Sequence, residues 1–131
     1  MTGPVIADTD LVIDFLRGKG DGVVAVRGLI VDGSLRLTAV TAFELRVGAD
    51  FDRRRPVVAR LLAGRTLPFD IEAALHAGEI SAELARRGEG IGLADTLQAG
   101  IARRFGMPIA TRNTRHFARV VGLQLAPLAS A

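Results

Sequence analysis

The chain has 131 residues, 49% hydrophobic and 24% charged, which is the composition of a folded globular protein and one domain's worth of sequence. It contains no cysteine, which excludes disulfides and thiolate metal sites and fits a reducing compartment. No apolar run approaches the roughly 20 residues of a membrane span. The opening MTGPVIADTD lacks the basic start and long apolar stretch of a signal peptide. A soluble, cytoplasmic protein with no membrane partner is therefore expected.

The formal charge is +3, and every one of the 17 basic residues except Lys19 is arginine, whose planar fork of donors suits phosphate. With no Trp or Tyr and only six Phe, a surface of many stacked bases is not expected. Any nucleic-acid contact should rest on phosphates and weaken with salt.

No repeat, linker or low-complexity run interrupts the chain, so one domain over 1–131 is expected. Val5-Ile6-Ala7 is a short apolar run typical of a buried strand, ending in Asp8-Thr9-Asp10. Leu11 to Leu16 reads as a helix stopped by Gly18, and Val23 to Val31 as a second closed by Asp32-Gly33. Leu35 to Thr38 alternates like a strand; Val40 to Ala49 and Arg54 to Leu62 return to helical spacing, the latter ended by Gly64. Thr66 to Phe69 is strand-like. Asp70 then N-caps a helix to about Arg87, with Ile71, Leu75, Ile80 and Leu84 as its apolar face. Leu93 to Phe105 is the next helix, Pro108 to Thr111 the last buried strand, and Leu123 to Leu125 an edge strand. Short strands alternating with helices predict an α/β fold with a largely parallel central sheet. In such sheets ligands gather at the carboxyl ends of the strands.

Four polar side chains follow strands or interrupt apolar helices: Asp8, Glu44, Asp95 and Asn113. Carboxylates that cannot all ionise without a cation are how proteins hold magnesium or manganese, hard ions that take oxygen ligands. The chemistry that follows is phosphodiester hydrolysis, with metal neutralising the phosphoryl oxygens and activating a water. Each residue also has a structural alternative. Asp8, Thr9 or Asp10 can cap the first helix. Asp95 in a first turn suits the helix dipole, and Asn113 can form a turn after a strand. Glu44 shares the face of Val40 and Val47, or lies exposed on an imperfect helix.

Taken in order, these segments resemble the PIN-domain family and, within it, VapC-type toxins. Ile6 to Asp14 is similar to the opening strand and turn, and Thr41-Ala42-Phe43-Glu44-Leu45 to the glutamate motif. Leu93 to Ala99 is similar to the third motif, whose aspartate precedes a helix rich in small residues. Ala110 to Val120, with Gly122-Leu123 after it, resembles the VapC C-terminal signature, and Leu67-Pro68-Phe69-Asp70 also has a VapC cast. The resemblance spans nearly the whole chain. It implies a three-layer α/β/α sandwich and endoribonuclease activity dependent on Mg2+ or Mn2+. Asp8 and Asp95 are then the main metal ligands, Glu44 holds metal or its waters, and Asn113 completes the catalytic set. It also implies a homodimer, a VapB-type antitoxin that inserts a C-terminal segment into the active-site groove, and structured RNA targets such as transfer or ribosomal RNA.

One departure stands out. The family's fourth acidic position falls at Asn113 or at His116, and neither is acidic here. An amide oxygen brings no charge, which weakens the case for a second metal; Asp10 is a further carboxylate nearby, and His116 reads as a loop or surface histidine. Arg112, Arg115 and Arg119 surround this motif, and Arg17 with Lys19 follows the first helix, a rim suited to an RNA backbone or simply to solvent. Arg53-Arg54-Arg55 beside Asp50 and Asp52 reads as a solvated helix start.

Alternatives from other classes are a PIN-like domain that binds RNA or a partner after losing catalysis, and a haloacid-dehalogenase-like phosphatase using Asp8 and Asp10. The phosphatase expects a hydroxyl residue where Val12 stands and a downstream lysine, and no lysine follows Lys19. A response-regulator receiver fails on the same missing lysine.

Overall fold

The computed structural model describes residues 3–128. Met1 and Thr2, part of the N-terminal segment read for a leader, and residues 129–131 lie outside the described residues. The element order is β1(Val5–Ala7), α1(Thr9–Arg17), α2(Asp21–Val31), β2(Leu35–Thr38), α3(Ala39–Val47), α4(Phe51–Leu62), β3(Thr66–Leu67), α5(Ile71–Arg86), α6(Leu93–Phe105), β4(Ile109–Ala110), α7(Thr114–Phe117) and β5(Leu125–Ala126).

The strands form one five-stranded sheet in the order β3-β2-β1-β4-β5, and every pairing is parallel. β1 is central, with Ile6 opposite both Arg36 of β2 and Ile109 of β4. Because strand side chains alternate, the sheet feeds two cores. Val5 and Ala7 join Leu35, Leu37 and Ala110 under Leu11, Val12, Val26, Val58 and Leu61 of α1, α2 and α4. Ile6 and Ile109 meet Ile80, Leu84, Ala99, Ala102 and Phe117 of α5, α6 and α7 on the other face. The result is the expected three-layer sandwich.

Local chemistry explains the helix ends. Asp8 caps α1 through Oδ1, which accepts the Thr9 amide hydrogen at 2.8 Å, and Gly18 ends the helix at φ 73, a left-handed conformation that side chains resist. Asp70 caps α5 by accepting from the Ala73 amide at 2.8 Å, as the sequence predicts. That contact, with the Arg104 guanidinium, holds the Asp70 carboxyl below its usual range.

Several expectations are corrected. α1 begins at Thr9 rather than Leu11, α2 at Asp21 rather than Val23, and α4 at Phe51 rather than Arg54. The edge strand is Leu125–Ala126, not Leu123 to Leu125, and the turn of helix α7 was not expected. On α5, Ile80 and Leu84 are buried as expected, but Ile71 is 80% and Leu75 70% exposed. The buried face runs instead through Ala73 and Ala77, because α6 approaches too closely for larger residues. A Cβ on Gly100 of α6 would lie 2.7 Å from Ala77 Cβ and 2.8 Å from the Ala73 carbonyl oxygen. Arg53 and Arg55 form exposed i,i+3 pairs with Asp50 and Asp52, the solvated helix start expected of the Arg53-Arg54-Arg55 run, whereas Arg54 is half-buried and donates to the Leu16 carbonyl of α1. No helix among the described residues is long and apolar enough to cross a membrane.

Candidate active site

The centre of the sheet ends in Asp8, and everything polar nearby is arranged around it. β1 delivers it: its amide donates to the Ala110 carbonyl of β4 at 2.9 Å, so the pairing that completes the sheet also fixes its backbone. Its side chain is buried with 7% of the residue exposed, and it both caps α1 and faces the other acids. The capping and functional readings of Asp8 are thus compatible. Thr111, which follows β4, donates its hydroxyl to Asp8 Oδ2 at 2.7 Å and accepts the Asn113 amide hydrogen at 2.9 Å.

Glu44 arrives from α3 and is tied to this centre through Thr9. The Thr9 hydroxyl donates to Glu44 Oε1 at 2.6 Å and pairs with the Thr41 hydroxyl at 2.8 Å. Thr41, one turn before Glu44 on the side of α3 facing the sheet, is fully buried. Val40 is buried with it, whereas Val47 is 69% exposed, so Glu44 sits where the helix leaves the core.

α6 supplies Asp95 in its first turn and Gln98 one turn later. Gln98 is buried; its Nε2 donates long hydrogen bonds to Asp8 Oδ1 at 3.5 Å and to Thr41 Oγ1 at 3.4 Å, while its Oε1 accepts from the Thr38 hydroxyl. Asp95 Oδ2 accepts from Asn113 Nδ2 at 3.1 Å and meets His116 Nδ1 at 3.0 Å. Among the described residues no buried side-chain nitrogen or oxygen lacks a hydrogen-bond partner.

Burial pushes the Asp8 carboxyl above its usual range by desolvating the charged form. The hydrogen bonds from Thr111 and Thr9 partly offset this, and the negative charges of Asp95 and then Asp10 push it higher. Asp10 itself is exposed on the first turn of α1. Despite the arginine surplus, no Lys or Arg forms an ion pair with Asp8, Glu44 or Asp95 among the described residues. These three carboxylates lie at one end of the sheet with only His116 as a basic neighbour, beside Asp95, and carboxylate oxygens are the donors that a divalent cation of this kind takes. Among the described residues no three Asp, Glu, His or Cys groups close around one point. Thr9 instead links Glu44 to Asp8, while Asp95 acts on Asp8 through like-charge repulsion.

Sequence reasoning named Asp8, Glu44, Asp95 and Asn113, and the fold brings all four to the same end of the sheet. It gave no role to Gln98 or Thr111, although Gln98 stands three residues after Asp95 and so shares its helix face. It read His116 as a loop or surface residue; the structure sets it on α7 against Asp95. The expected basic rim is thinner than the arginine count suggests. Arg112 pairs with Asp14, and Arg119 reaches the Glu89 and Gly90 carbonyls, whereas Arg17, Lys19 and Arg115 are exposed.

Comparison with known proteins identifies the family. The family model for the PIN domain matches residues 5–123. The chain is 38% identical over 122 residues to a tRNA(fMet)-specific endonuclease VapC of Shigella flexneri, covering 89% of this chain and 92% of that one. Its fold is similar to that in the DNA-bound VapBC structure from Salmonella typhimurium, with a TM-score of 0.79 at 26% identity over 96% of this chain and 98% of the other. The FitAcB structure from Neisseria gonorrhoeae gives 0.77 at 26% identity, covering 95% and 96%. The parallel sheet and the order of the motifs agree with both kinds of likeness: the chain belongs to the PIN-domain family, in its VapC branch.

Proposed function

We propose that this chain is the toxin of a VapBC-type toxin–antitoxin pair, an endoribonuclease that uses Mg2+ or Mn2+ held by Asp8, Glu44 and Asp95. The observation that carries the proposal is the buried Asp8 carboxyl, with Glu44 tied to it through Thr9, Asp95 raising its proton affinity, and no Lys or Arg paired with any of the three among the described residues.

A bound divalent cation supplies charge neutralisation at the phosphoryl oxygens and activation of a water for in-line attack. The protein's own contribution is positional. Thr111 and the Thr9 amide fix the two Asp8 oxygens, and the Thr9 hydroxyl fixes Glu44. Asn113 holds Asp95 through its amide nitrogen, orienting that carboxylate. Exposed Arg17, Lys19 and Arg115 supply phosphate contacts along the RNA backbone.

Transfer RNA is the first substrate to test, because the Shigella relative is named for cleaving it; ribosomal RNA is the second. The partner is a VapB-type antitoxin, the working form a homodimer, the compartment the cytoplasm, and residues 1–131 one domain. Support for the antitoxin comes from the toxin–antitoxin complexes among similar structures. The test is cleavage of transfer RNA by metal-stripped protein with and without added Mn2+ or Mg2+. Activity that vanishes with chelator and returns with metal supports the proposal. RNA that binds but is not cut under any metal favours instead a PIN-like binding domain that has lost catalysis.

A further inference from the structure

The three residues that follow β4 each hold a different aspartate. Thr111 donates to Asp8 Oδ2 at 2.7 Å and Asn113 Nδ2 to Asp95 Oδ2 at 3.1 Å, while between them Arg112 Nη1 donates to Asp14 Oδ2. Neutral donors thus meet two acids of the proposed site, and the cation between them goes to an acid outside it. Asn113 also donates its backbone amide across Arg112 to Thr111 Oγ1 at 2.9 Å. Any shift of the Arg112 backbone is therefore passed to both neighbours.

Asp14 is a fixed anchor for that arm. It lies in the second half of α1 with its side chain 15% exposed. α2 has no side-chain cap at Gly20, and the Gly22 amide donates instead to Asp14 Oδ2 at 3.0 Å. A Cβ on Gly20 would lie 2.5 Å from that same oxygen, and one on Gly22 would lie 2.7 Å from Asp14 Cβ. Glycine at both positions lets the start of α2 close over the carboxylate. A hydrogen bond with both partners ionised is the stronger kind, so the link from this anchor to Arg112 resists loosening.

We infer that Asp14 is a positioning residue for RNA cleavage: through Arg112 it holds segment 111–113, and with it the orientation of Asp8 and Asp95. The inference rests on the proposed function. Arg112 then serves the site from within the protein, in contrast to exposed Arg17, Lys19 and Arg115.

The test is a double-mutant cycle on the full chain. Asp14→Asn keeps an oxygen for the Gly22 amide but removes the charge that Arg112 reaches, and Arg112→Gln removes the other charge. In steady-state cleavage of transfer RNA with Mn2+, each single variant is expected to lower kcat by about 10-fold with KM little changed, less than the roughly 100-fold that a 1 Å misplacement costs. The double variant should match the singles, because residues that act as one unit are not additive, and Arg112→Lys should restore most of the rate. Hydrogen exchange in the metal-free protein gives a second readout. The Asn113 amide should exchange faster in each single variant and no faster in the double. The Ile6 amide, bonded to the Pro108 carbonyl at 2.9 Å, should keep its wild-type rate, which shows that the sheet is intact. Losses that add in the double variant, or an Asn113 amide that exchanges at the wild-type rate, overturn the inference and leave the proposed function standing. A KM raised in Arg112→Gln and lowered in Asp14→Asn also overturns it, by making Arg112 an RNA contact that Asp14 restrains. A wild type that cuts neither transfer nor ribosomal RNA with either ion removes both.

Discussion

The α5–α6 contact provides a test in which one substitution, made at two glycines, changes stability in opposite directions. A Cβ on Gly100 would meet Ala77 Cβ at 2.7 Å, the Ala73 carbonyl oxygen at 2.8 Å and Ala77 Cα at 2.9 Å. None of these atoms can swing aside, so restoring ordinary contact of 3.4–4 Å requires the helices to part by at least about 0.7 Å. Overpacking of this kind costs about 1–3 kcal/mol. Gly78, within α5, has nothing within 4 Å of an added Cβ, and replacing a mid-helix glycine by alanine there should stabilise by roughly 0.5–1 kcal/mol. Urea or thermal unfolding of Gly100→Ala and Gly78→Ala should therefore move in opposite directions, by roughly 3–6 °C per kcal/mol at this size. Because α6 also carries Asp95, Gly100→Ala should slow cleavage as well, and displacement by 1 Å at a reacting centre costs about 10²-fold. A Gly100→Ala protein as stable as wild type would refute the close packing of these helices.

Other expectations address the carboxylates directly. Asp8→Asn and Asp95→Asn should abolish RNA cleavage while leaving the fold intact, checked by circular dichroism; full activity in purified Asp95→Asn would contradict the site. Because the Asp8 carboxyl is raised in the folded state, the native protein binds its proton more tightly than the unfolded chain does. Its contribution is therefore greatest in acid and is lost as pH rises from the ordinary carboxylate range through the folded value. Metal-free Asp8→Asn should lack this decline, which urea unfolding in chelator from acid to neutral pH can measure. Thr9→Val removes the buried hydroxyl between Glu44 and Thr41, with an expected cost of about 1–3 kcal/mol and a loss of cleavage; unchanged activity would detach Glu44 from the centre. Asn113→Asp should tighten metal binding by adding charge near Asp95, and weaker binding by calorimetry would count against it. Expression in a bacterium lacking the antitoxin should slow growth, and Asp8→Asn should relieve it; equal harm from the variant would mean the toxicity is not enzymatic.

Much of the fold is legible locally because strand and helix periods switch at marked points. Val5-Ile6-Ala7 can be read as buried on both faces because apolar residues run without alternation, and Gly18 and Asp70 mark helix ends through their own backbone and capping chemistry. Contacts set by tertiary neighbours are not legible in this way. Ile71 and Leu75 fit a helical stripe with Ile80 and Leu84, but the depth at which α6 packs selects the alanine face instead. Asp8 could be named because it follows an apolar strand, Glu44 because it interrupts an apolar helix, and Asp95 because it opens one. Gln98 could not, since it takes its role from Thr38 and Asp8, distant in sequence; His116 is named at the family's fourth acidic position, but its contact with Asp95 is tertiary and not legible there.

The pairing of β1 with β4 has a consequence for how the molecule is made. Asp8 lies near the start of the chain, yet its backbone partner Ala110 and its side-chain partner Thr111 come more than a hundred positions later. A growing polypeptide on the ribosome thus carries an unfinished centre until its last segment emerges. A product that ends before Ala110 lacks both of these partners of Asp8.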